Sequence, residues 1–380
     1  MSRQPIPAHP RAWVEVDLGA LRRNGAAIIA RTGVPLLGVV KADGYGLGAV
    51  RVAAALDPLQ PWGFGVAAVA EGVELREAGV TRPILVLSPV LPDEYPMIRR
   101  AELRPSLGTA AAIAGWMSAG GGPWHLSIDT GMSRAGMQWT DVAAAADAIA
   151  AGNPEGAYTH FHSADCNDRS MALQVERFRQ ALGGLRARPR LVHAENSPAV
   201  ERCAARSAWD LVRPGVFLYG VGSGEGATIV PEPVVSVRAR VVEIREIAGG
   251  ESVSYTAAWH ASGTRRIATL AIGYADGYRR AFSNRGSALV RGRRVPVVGI
   301  VTMDMIMLDV TGAACEVGDV ATLLGRDGDD EITIAELGRT GELLTYEILV
   351  GLKLRAPRIY VDSEKSPELS VGTARATSHA

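Results

Sequence analysis

Leu36-Leu37-Gly38-Val39-Val40 runs directly into Lys41-Ala42-Asp43-Gly44-Tyr45-Gly46. An apolar run bounded by glycine-rich sequence reads as a short buried strand and the turn that leaves it. That strand would carry a lysine to its carboxyl end. Burial disfavours the ammonium form, and the free amine is the form that condenses with an aldehyde to give an imine. A lone lysine past a strand end is more often an ordinary surface residue, and it is the rest of the chain that reverses this weighting.

Seven further apolar runs follow at regular intervals: Trp62–Val66, Pro83–Leu87, Leu103–Leu107, Trp124–Ile128, Gly156–Phe161, Arg190–His193 and Trp209–Val212. The run at Leu103–Leu107 is the weakest, interrupted by Arg104 and Pro105. Between the runs lie segments of helical period such as Glu71–Ala78, Asp141–Ala151 and Val175–Leu185. Strands alternating with helices imply a parallel sheet with right-handed crossovers, and eight repeats predict a closed (β/α)8 barrel. An open doubly wound sheet is the alternative, but the first turn lacks the GxGxxG dinucleotide fingerprint.

Beyond residue 231 the pattern changes to alternating β-type segments separated by Gly and Asp turns: Val234–Ile247, Arg265–Ile272, Gly286–Val290, Val295–Val301, Ile306–Val310 and Val320–Leu324. Helix returns briefly near Ile334–Leu337 and Leu344–Leu352. The expected organisation is an α/β barrel over 11–230 and a mainly antiparallel β domain over 231–362. The early strand Trp13–Val16 precedes the barrel and is expected to pair with the β domain, while the polar stretch 363–380 is expected to be disordered.

Length and charge agree with this division. A chain of 380 residues exceeds what a single core usually supports. Forty basic and forty acidic residues cancel, so no overall field recommends nucleic acid or a membrane as partner, which leaves a small molecule. The three cysteines, Cys166, Cys203 and Cys315, are too few and scattered for a disulfide framework or a zinc site. A reduced, cytoplasmic setting is therefore expected. MSRQPIPAHP at 1–10 has no apolar core and does not read as a signal peptide, and no apolar run reaches the ~18 residues of a membrane helix.

In a (β/α)8 barrel the chemistry collects at the carboxyl ends of the strands. Those positions hold Lys41 and Tyr45, then Asp129 to Arg134, His160, His193 with Asn196 and Ser197, and Arg213 with Gly215. Each has an ordinary explanation: a satisfied core histidine, a turn-pinning arginine, a capping Asp129. Their coincidence at successive strand ends does not. An imine-forming lysine, arginines, histidines and small donors beside glycine suit a phosphorylated aldehyde, with pyridoxal phosphate (PLP) the obvious candidate. Ser197 and the backbone around Gly215 are expected at its phosphate.

These residues resemble the PLP-dependent alanine racemases. The matching segments are VVKADGYG at 39–46, DTGMSRAG at 129–136, THF at 159–161, HAENS at 193–197, and VRPG at 212–215 with LYG at 218–220. GGESVSY at 249–255, GYADGY at 273–278, MD at 303–304, TYEIL at 345–349 and APRIYV at 356–361 complete an ordered set across nearly the whole chain. The resemblance implies a homodimer with active sites built from both subunits and no metal. Lys41 would hold PLP as an internal aldimine and serve one face of the substrate, while Tyr255 of the partner subunit serves the other. Racemisation needs two such groups, because a proton must leave one face of the α-carbon and return to the opposite one. A free tyrosine titrates near ~10, so this role calls for nearby cations or hydrogen bonds.

By the same resemblance Arg213 would face the pyridine nitrogen, donating without protonating it. Arg134 would lie by the phenolic oxygen and substrate carboxylate, and His160 by the ring. Tyr45, Ser197, Gly215, Val216 and Tyr346 would hold the phosphate. Met303, beside Asp304, would contact the substrate carboxylate, and Tyr274 and Tyr346 would line the entrance.

The chain also departs from the family pattern. Asp43, Gly44 and Leu47 replace Asn, Ala and His in the first motif, and Ser127 stands where a carbamylated lysine is frequent. Ile300 replaces an arginine, Thr256 a glycine, and Glu195 sits in the HAENS turn. None removes Lys41 or Tyr255. The expected activity is interconversion of L- and D-alanine, supplying D-alanine for peptidoglycan. Alternatives are a racemase of another small amino acid such as serine, a PLP-barrel aldolase or decarboxylase, and a non-catalytic PLP carrier. The long β domain with its own motifs counts against the last.

Overall fold

A computed structural model describes residues 10–363 with the exception of 167, 204 and 205. Eight parallel strands hydrogen-bond in chain order: Leu37–Val39, Gly63–Val66, Ile84–Pro89, Arg104–Leu107, His125–Asp129, Gly156–Tyr158, Leu191–Asn196 and Leu211–Arg213. A parallel bridge from Leu36 to Val212 closes the ring, and the Val39 N–H donates to Pro214 O at 3.0 Å. Every one of the eight apolar runs forms a strand, including the one that carries Arg104 and Pro105. Strands such as Leu37–Val39 and Gly63–Val66 are buried throughout, which is why they read as continuous apolar runs and not as alternation.

Helices cover the outside of the ring. Leu18–Thr32 starts where Asp17 accepts the Ala20 N–H at 3.0 Å and ends at Gly33, whose φ of 71° suits glycine. Its buried Leu21 and Ile28 are worth roughly 1.5–3 kcal/mol each in burial. The expected helix over Asp141–Ala151 begins only at Ala146, because residues 140–145 form turns. The polar segment 364–380 lies outside the described residues.

The second sheet is antiparallel except at one edge. Its order is Asp330–Ile332, Val320–Asp327, Ser287–Val290, Arg293–Val298, Ile306–Asp309, Arg265–Leu270, Val235–Ile247, Ala12–Asp17 and Arg358–Val361. Val320–Asp327 also pairs with Val235–Ile247, so the sheet curls back on itself around the buried Leu289, Leu308 and Leu323. Ala12–Asp17 lies between two partners, with Val14 opposite Val237 on one side and Arg358 on the other. The fold is thus a (β/α)8 barrel with a mainly antiparallel β domain. Asp330–Ile332 and Arg358–Val361 are strands that the alternation pattern does not show.

Candidate active site

The carboxyl ends of the barrel strands enclose a cavity of about 760 Å³. It is lined by Lys41, Tyr45, Arg134, His160, Ser197, Arg213, Gly215, Val216 and Tyr346, all of them expected from sequence, together with Ser127 and Asp129. Lys41 follows the first strand and opens a turn in which Ala42, Asp43, Gly44 and Tyr45 all have φ between 53° and 60°. Burial lowers the pKa of its ammonium, the Arg134 cation lowers it further, and the Glu71 carboxylate opposes both. The ammonium therefore gives up its proton more readily here than on an exposed lysine.

Arg213 is buried, and its guanidinium is fully committed on one side. Nη2 donates to Thr159 O at 2.6 Å and Ala194 O at 3.0 Å, and Nη1 meets His193 Nδ1 at 2.8 Å. Desolvation pulls its pKa down to about 10, so it still carries charge at neutral pH. His193 stacks on Tyr158, with ring centroids 5.1 Å apart and planes 11° from parallel. Its Nε2 lies 2.9 Å from Nδ1 of His125, whose own Nε2 is 3.7 Å from Glu155, beyond hydrogen-bond length. Glu155 also accepts from Arg104 at 3.2 Å and Arg190 at 3.1 Å.

Burial keeps His160 and His193 neutral. Desolvation first, then the cations Arg213, Arg134 and Lys41, push His160 down to about 3. His193 falls well below its ordinary value by burial and the Arg213 charge. Positive potential in the cavity therefore comes from arginine and not from imidazole, and it favours an anionic ligand.

At the other end of the cavity, Ser197 Oγ accepts the N–H groups of Gly215 at 2.9 Å and Phe217 at 3.3 Å, which leaves its proton free to donate. Asn196 caps the short Ser197–Arg202 helix by accepting from Ala199 N–H at 3.2 Å. A Cβ at Gly215 would come within 2.6 Å of the Tyr45 hydroxyl, so glycine keeps this corner open. Tyr45 packs on Tyr219 at 4.6 Å between centroids, and burial pushes its phenol up to about 12, so it acts as a neutral donor. An amine at one wall, a donor-only guanidinium at another and free hydroxyls at a third fit PLP as a donor set.

Asp129 does not cap a helix. It closes the loop after the fifth barrel strand, its Oδ1 accepting from Gly131 N–H at 2.8 Å and Met132 N–H at 2.9 Å. Gln174 stitches the neighbouring loop, donating to His160 O at 3.1 Å and Thr130 Oγ1 at 3.2 Å and accepting from His162 N–H at 3.0 Å.

Tyr255, Met303 and Asp304 do not line this cavity within one chain. Tyr255 is 69 % exposed and Met303 52 % exposed, both in the β domain. Tyr255 sits in a bend where Ser254, Thr256 and Ala257 have φ of 72°, 58° and 51°. Thr256 thus holds a left-handed conformation that glycine would adopt without strain. Asp304 accepts from Arg355, which also holds Asp276 at 2.7 Å and Met303 O at 3.2 Å. Tyr274 is 38 % exposed on the same side.

Sequence reasoning missed His125, Glu155, Tyr158 and Glu71. His125 opens its strand below the cavity, where position relative to a strand end gave no signal, whereas Tyr158 ends its strand and lines the cavity. Among the described residues no group of three or more His, Cys, Asp or Glu is arranged to hold a metal ion, and no helix is long and apolar enough to cross a membrane.

Known proteins share both halves of this architecture. Residues 16–223 match the family model of the alanine racemase N-terminal domain and 234–360 that of the C-terminal domain. The alanine racemase of Symbiobacterium thermophilum is 39 % identical over 365 residues, covering 92 % of this chain and 96 % of the relative. The crystal structure of the Bacillus anthracis alanine racemase with bound L-Ala-P superposes with a TM-score of 0.87 at 30 % identity, covering 94 % of this chain and 97 % of that one. That of Bartonella henselae, with covalently bound pyridoxal phosphate, gives 0.86 at 27 % identity and covers 93 % and 100 %.

Proposed function

The chain belongs to the alanine racemase family, and from that premise we propose that the cavity beside Lys41 takes PLP and alanine, with Lys41 and Tyr255 as its two proton-transfer groups. It is a PLP-dependent isomerase that interconverts L- and D-alanine. Bound there, PLP supplies a conjugated ring that accommodates the electron pair left when the α-proton departs.

Lys41 holds the cofactor and handles one face of the substrate, and burial and the Arg134 charge shift its amine in the direction that such a proton acceptor needs. Tyr255 comes from the partner of a homodimer, where its exposed hydroxyl reaches the other face of a neighbouring cavity. One group takes a proton as the other gives one, so each turnover leaves the pair poised for the reverse direction. Arg213, a donor that does not give up its proton, would face the ring nitrogen and leave it unprotonated, which would limit side reactions. Its orientation rests on His193, Thr159 O and Ala194 O. Tyr45, Ser197, Gly215, Val216 and Tyr346 surround the phosphate. Arg134 meets the substrate carboxylate, and His160 packs beside the ring as a neutral imidazole. Met303 and Asp304 complete the partner's site.

The reading divides the chain into 11–230 and 231–362, places it in the cytoplasm, and makes D-alanine for peptidoglycan its product. The observation that carries the chemistry is the convergence of Lys41, Arg134 and Arg213 with the hydroxyls of Tyr45 and Ser197 in one cavity. The test is α-proton exchange in deuterated water with the PLP-loaded protein and L- or D-alanine, beside serine and larger amino acids. Exchange with inversion for alanine is expected. Exchange without inversion, or activity confined to another amino acid, would overturn the assignment.

A further inference from the structure

The turn that follows Lys41 is a left-handed helix built mostly from residues that do not favour one. Ala42, Asp43 and Tyr45 have φ of 53°, 54° and 54° beside Gly44 at 60°. In this region an L-residue's Cβ crowds its own backbone, so the conformation persists only where surrounding structure imposes it. Within the turn, Gly44 N–H donates to Val40 O at 2.8 Å and Leu47 N–H to Gly44 O at 3.1 Å. Both ends are held from outside.

At the start, Glu71 Oε1 accepts the Ala42 N–H at 2.7 Å. Its Oε2 accepts from Ala67 N–H at 2.7 Å and Ala68 N–H at 3.1 Å, just past the second barrel strand. One carboxylate therefore ties two strand ends together through three backbone donors. At the finish, Arg358 donates to Gly46 O from Nε at 3.0 Å and from Nη2 at 2.6 Å. The same guanidinium grips Lys353 O at 2.6 Å, Leu352 O at 2.9 Å and Ala356 O at 3.0 Å. Tyr360 adds a bond from its hydroxyl to Leu47 O at 2.9 Å. A negative group thus sits on the turn's open N–H end and a positive group on its open carbonyl end, the arrangement that a peptide dipole favours.

Lys41 and Tyr45 bracket this turn, and both line the cavity. We propose that Glu71 and Arg358 are positioning residues that clamp the left-handed turn from its two ends and so aim the Lys41 amine and the Tyr45 hydroxyl at the cofactor. Glu71 belongs to the barrel and Arg358 to the last strand of the β domain, so the aim of the lysine depends on both halves of the chain. The inference rests on the reading that Lys41 carries PLP.

The first measurement separates the two. Borohydride reduction of the PLP-loaded wild-type protein followed by peptide mapping should fix the cofactor on Lys41; a label elsewhere would bring down that reading and this one with it. With Lys41 confirmed, PLP release into an excess of scavenger is compared for wild type, Glu71→Gln and Arg358→Lys. Both variants should lose cofactor roughly tenfold faster, the loss that one charge-assisted hydrogen bond predicts.

A second readout distinguishes positioning from general support. The cations Arg134 and Arg213, the carboxylates Asp129 and Asp165 and the neutral His160 line the cavity with Lys41, and the nearby Glu71 carboxylate raises the Lys41 pKa against burial and Arg134. In the cofactor-free protein, the pH midpoint for acylation of Lys41 should move down in Glu71→Gln and stay in place in Arg358→Lys. Wild-type release rates in both variants, or an unchanged midpoint in Glu71→Gln, would overturn the proposal. Should Glu71→Gln fail to fold, release from Arg358→Lys decides.

Discussion

Nη1 of Arg213 lies 2.8 Å from Nδ1 of His193, and because arginine only donates, that nitrogen must be the acceptor. The His193 proton therefore sits on Nε2 and points at Nδ1 of His125, 2.9 Å away. His125 in turn carries its proton on the nitrogen that faces Glu155. A single donor-only residue in the cavity thus sets the tautomers of two imidazoles beneath it.

This order is readable by nitrogen NMR of the histidine rings, which should show both His125 and His193 as neutral Nε2–H tautomers. His193→Leu leaves a buried Arg213 N–H without its acceptor, at a cost of about 1–3 kcal/mol. Thermal denaturation of the PLP-loaded variant should show that loss, and turnover should fall with it.

Acid should destabilise the fold in two steps. His160, with its pKa depressed to about 3, stays neutral in the folded chain while its unfolded counterpart protonates from about 6.5 downward. The unfolded state then binds more protons, so stability falls as pH drops through that window. Glu155 follows lower down. Burial opposes its ionisation, but contacts with His125 and Arg104 outweigh this and hold it at about 2. Its contribution is complete above the ordinary carboxylate range and is lost as pH falls towards 2. Denaturant titrations from pH 7 to pH 3 should show the decline, and Glu155→Gln should flatten its lower part.

Ser197→Ala strips an acceptor from two buried N–H groups, those of Gly215 and Phe217. Fluorescence titration with PLP should show an affinity at least roughly tenfold weaker, from the lost hydroxyl donor and a loosened loop together. An unchanged affinity would remove Ser197 from the phosphate site.

Gly215→Ala tests the same corner by filling it. The new methyl would approach the Tyr45 hydroxyl to 2.6 Å, and Tyr45 is packed against Tyr219 and has little room to retreat. The expected result is weaker PLP binding with a shifted cofactor absorbance, while the far-ultraviolet circular dichroism stays that of wild type.

Tyr255→Phe removes the hydroxyl proposed for one of the two proton transfers and leaves Lys41 in place. Solvent deuterium should then enter one enantiomer of alanine much faster than the other, while Lys41→Ala abolishes the visible-edge absorbance of the bound cofactor. Equal, small effects of Tyr255→Phe on both directions of exchange would argue against the opposed pair.

The barrel was legible because most residues of its strands are buried, so that the strands appear as apolar runs between helical segments. Arg104–Leu107 kept its place despite Arg104 and Pro105, since Arg104 projects to the Glu155 cluster and Ser106 bonds Val86 O at 2.6 Å. Cavity residues at strand ends were legible for the same topological reason. His125 was not, because it starts its strand and lies a layer below the cavity. Nor was the left-handed turn, since Ala42 and Tyr45 have no intrinsic preference for it and the groups that impose it, Glu71 and Arg358, are 29 and 312 residues from their partners Ala42 and Gly46. Tyr255, Met303 and Asp304 could be named only through the family likeness, as nothing in one chain brings them to the cavity.

The Ala12–Asp17 strand completes its pairing only with Val235–Ile247 and Arg358–Val361. During synthesis Ala12–Asp17 must therefore wait for Arg358–Val361, made about 340 residues later. Everything from Leu18 to Arg213 is made in between. The β domain then zips shut around an early thread, and the grip of Arg358 on Gly46 is among the last bonds to form. A chain halted short of residue 358 would own a barrel, a lysine and most of a cavity, yet lack the final strand that gives the lysine its direction.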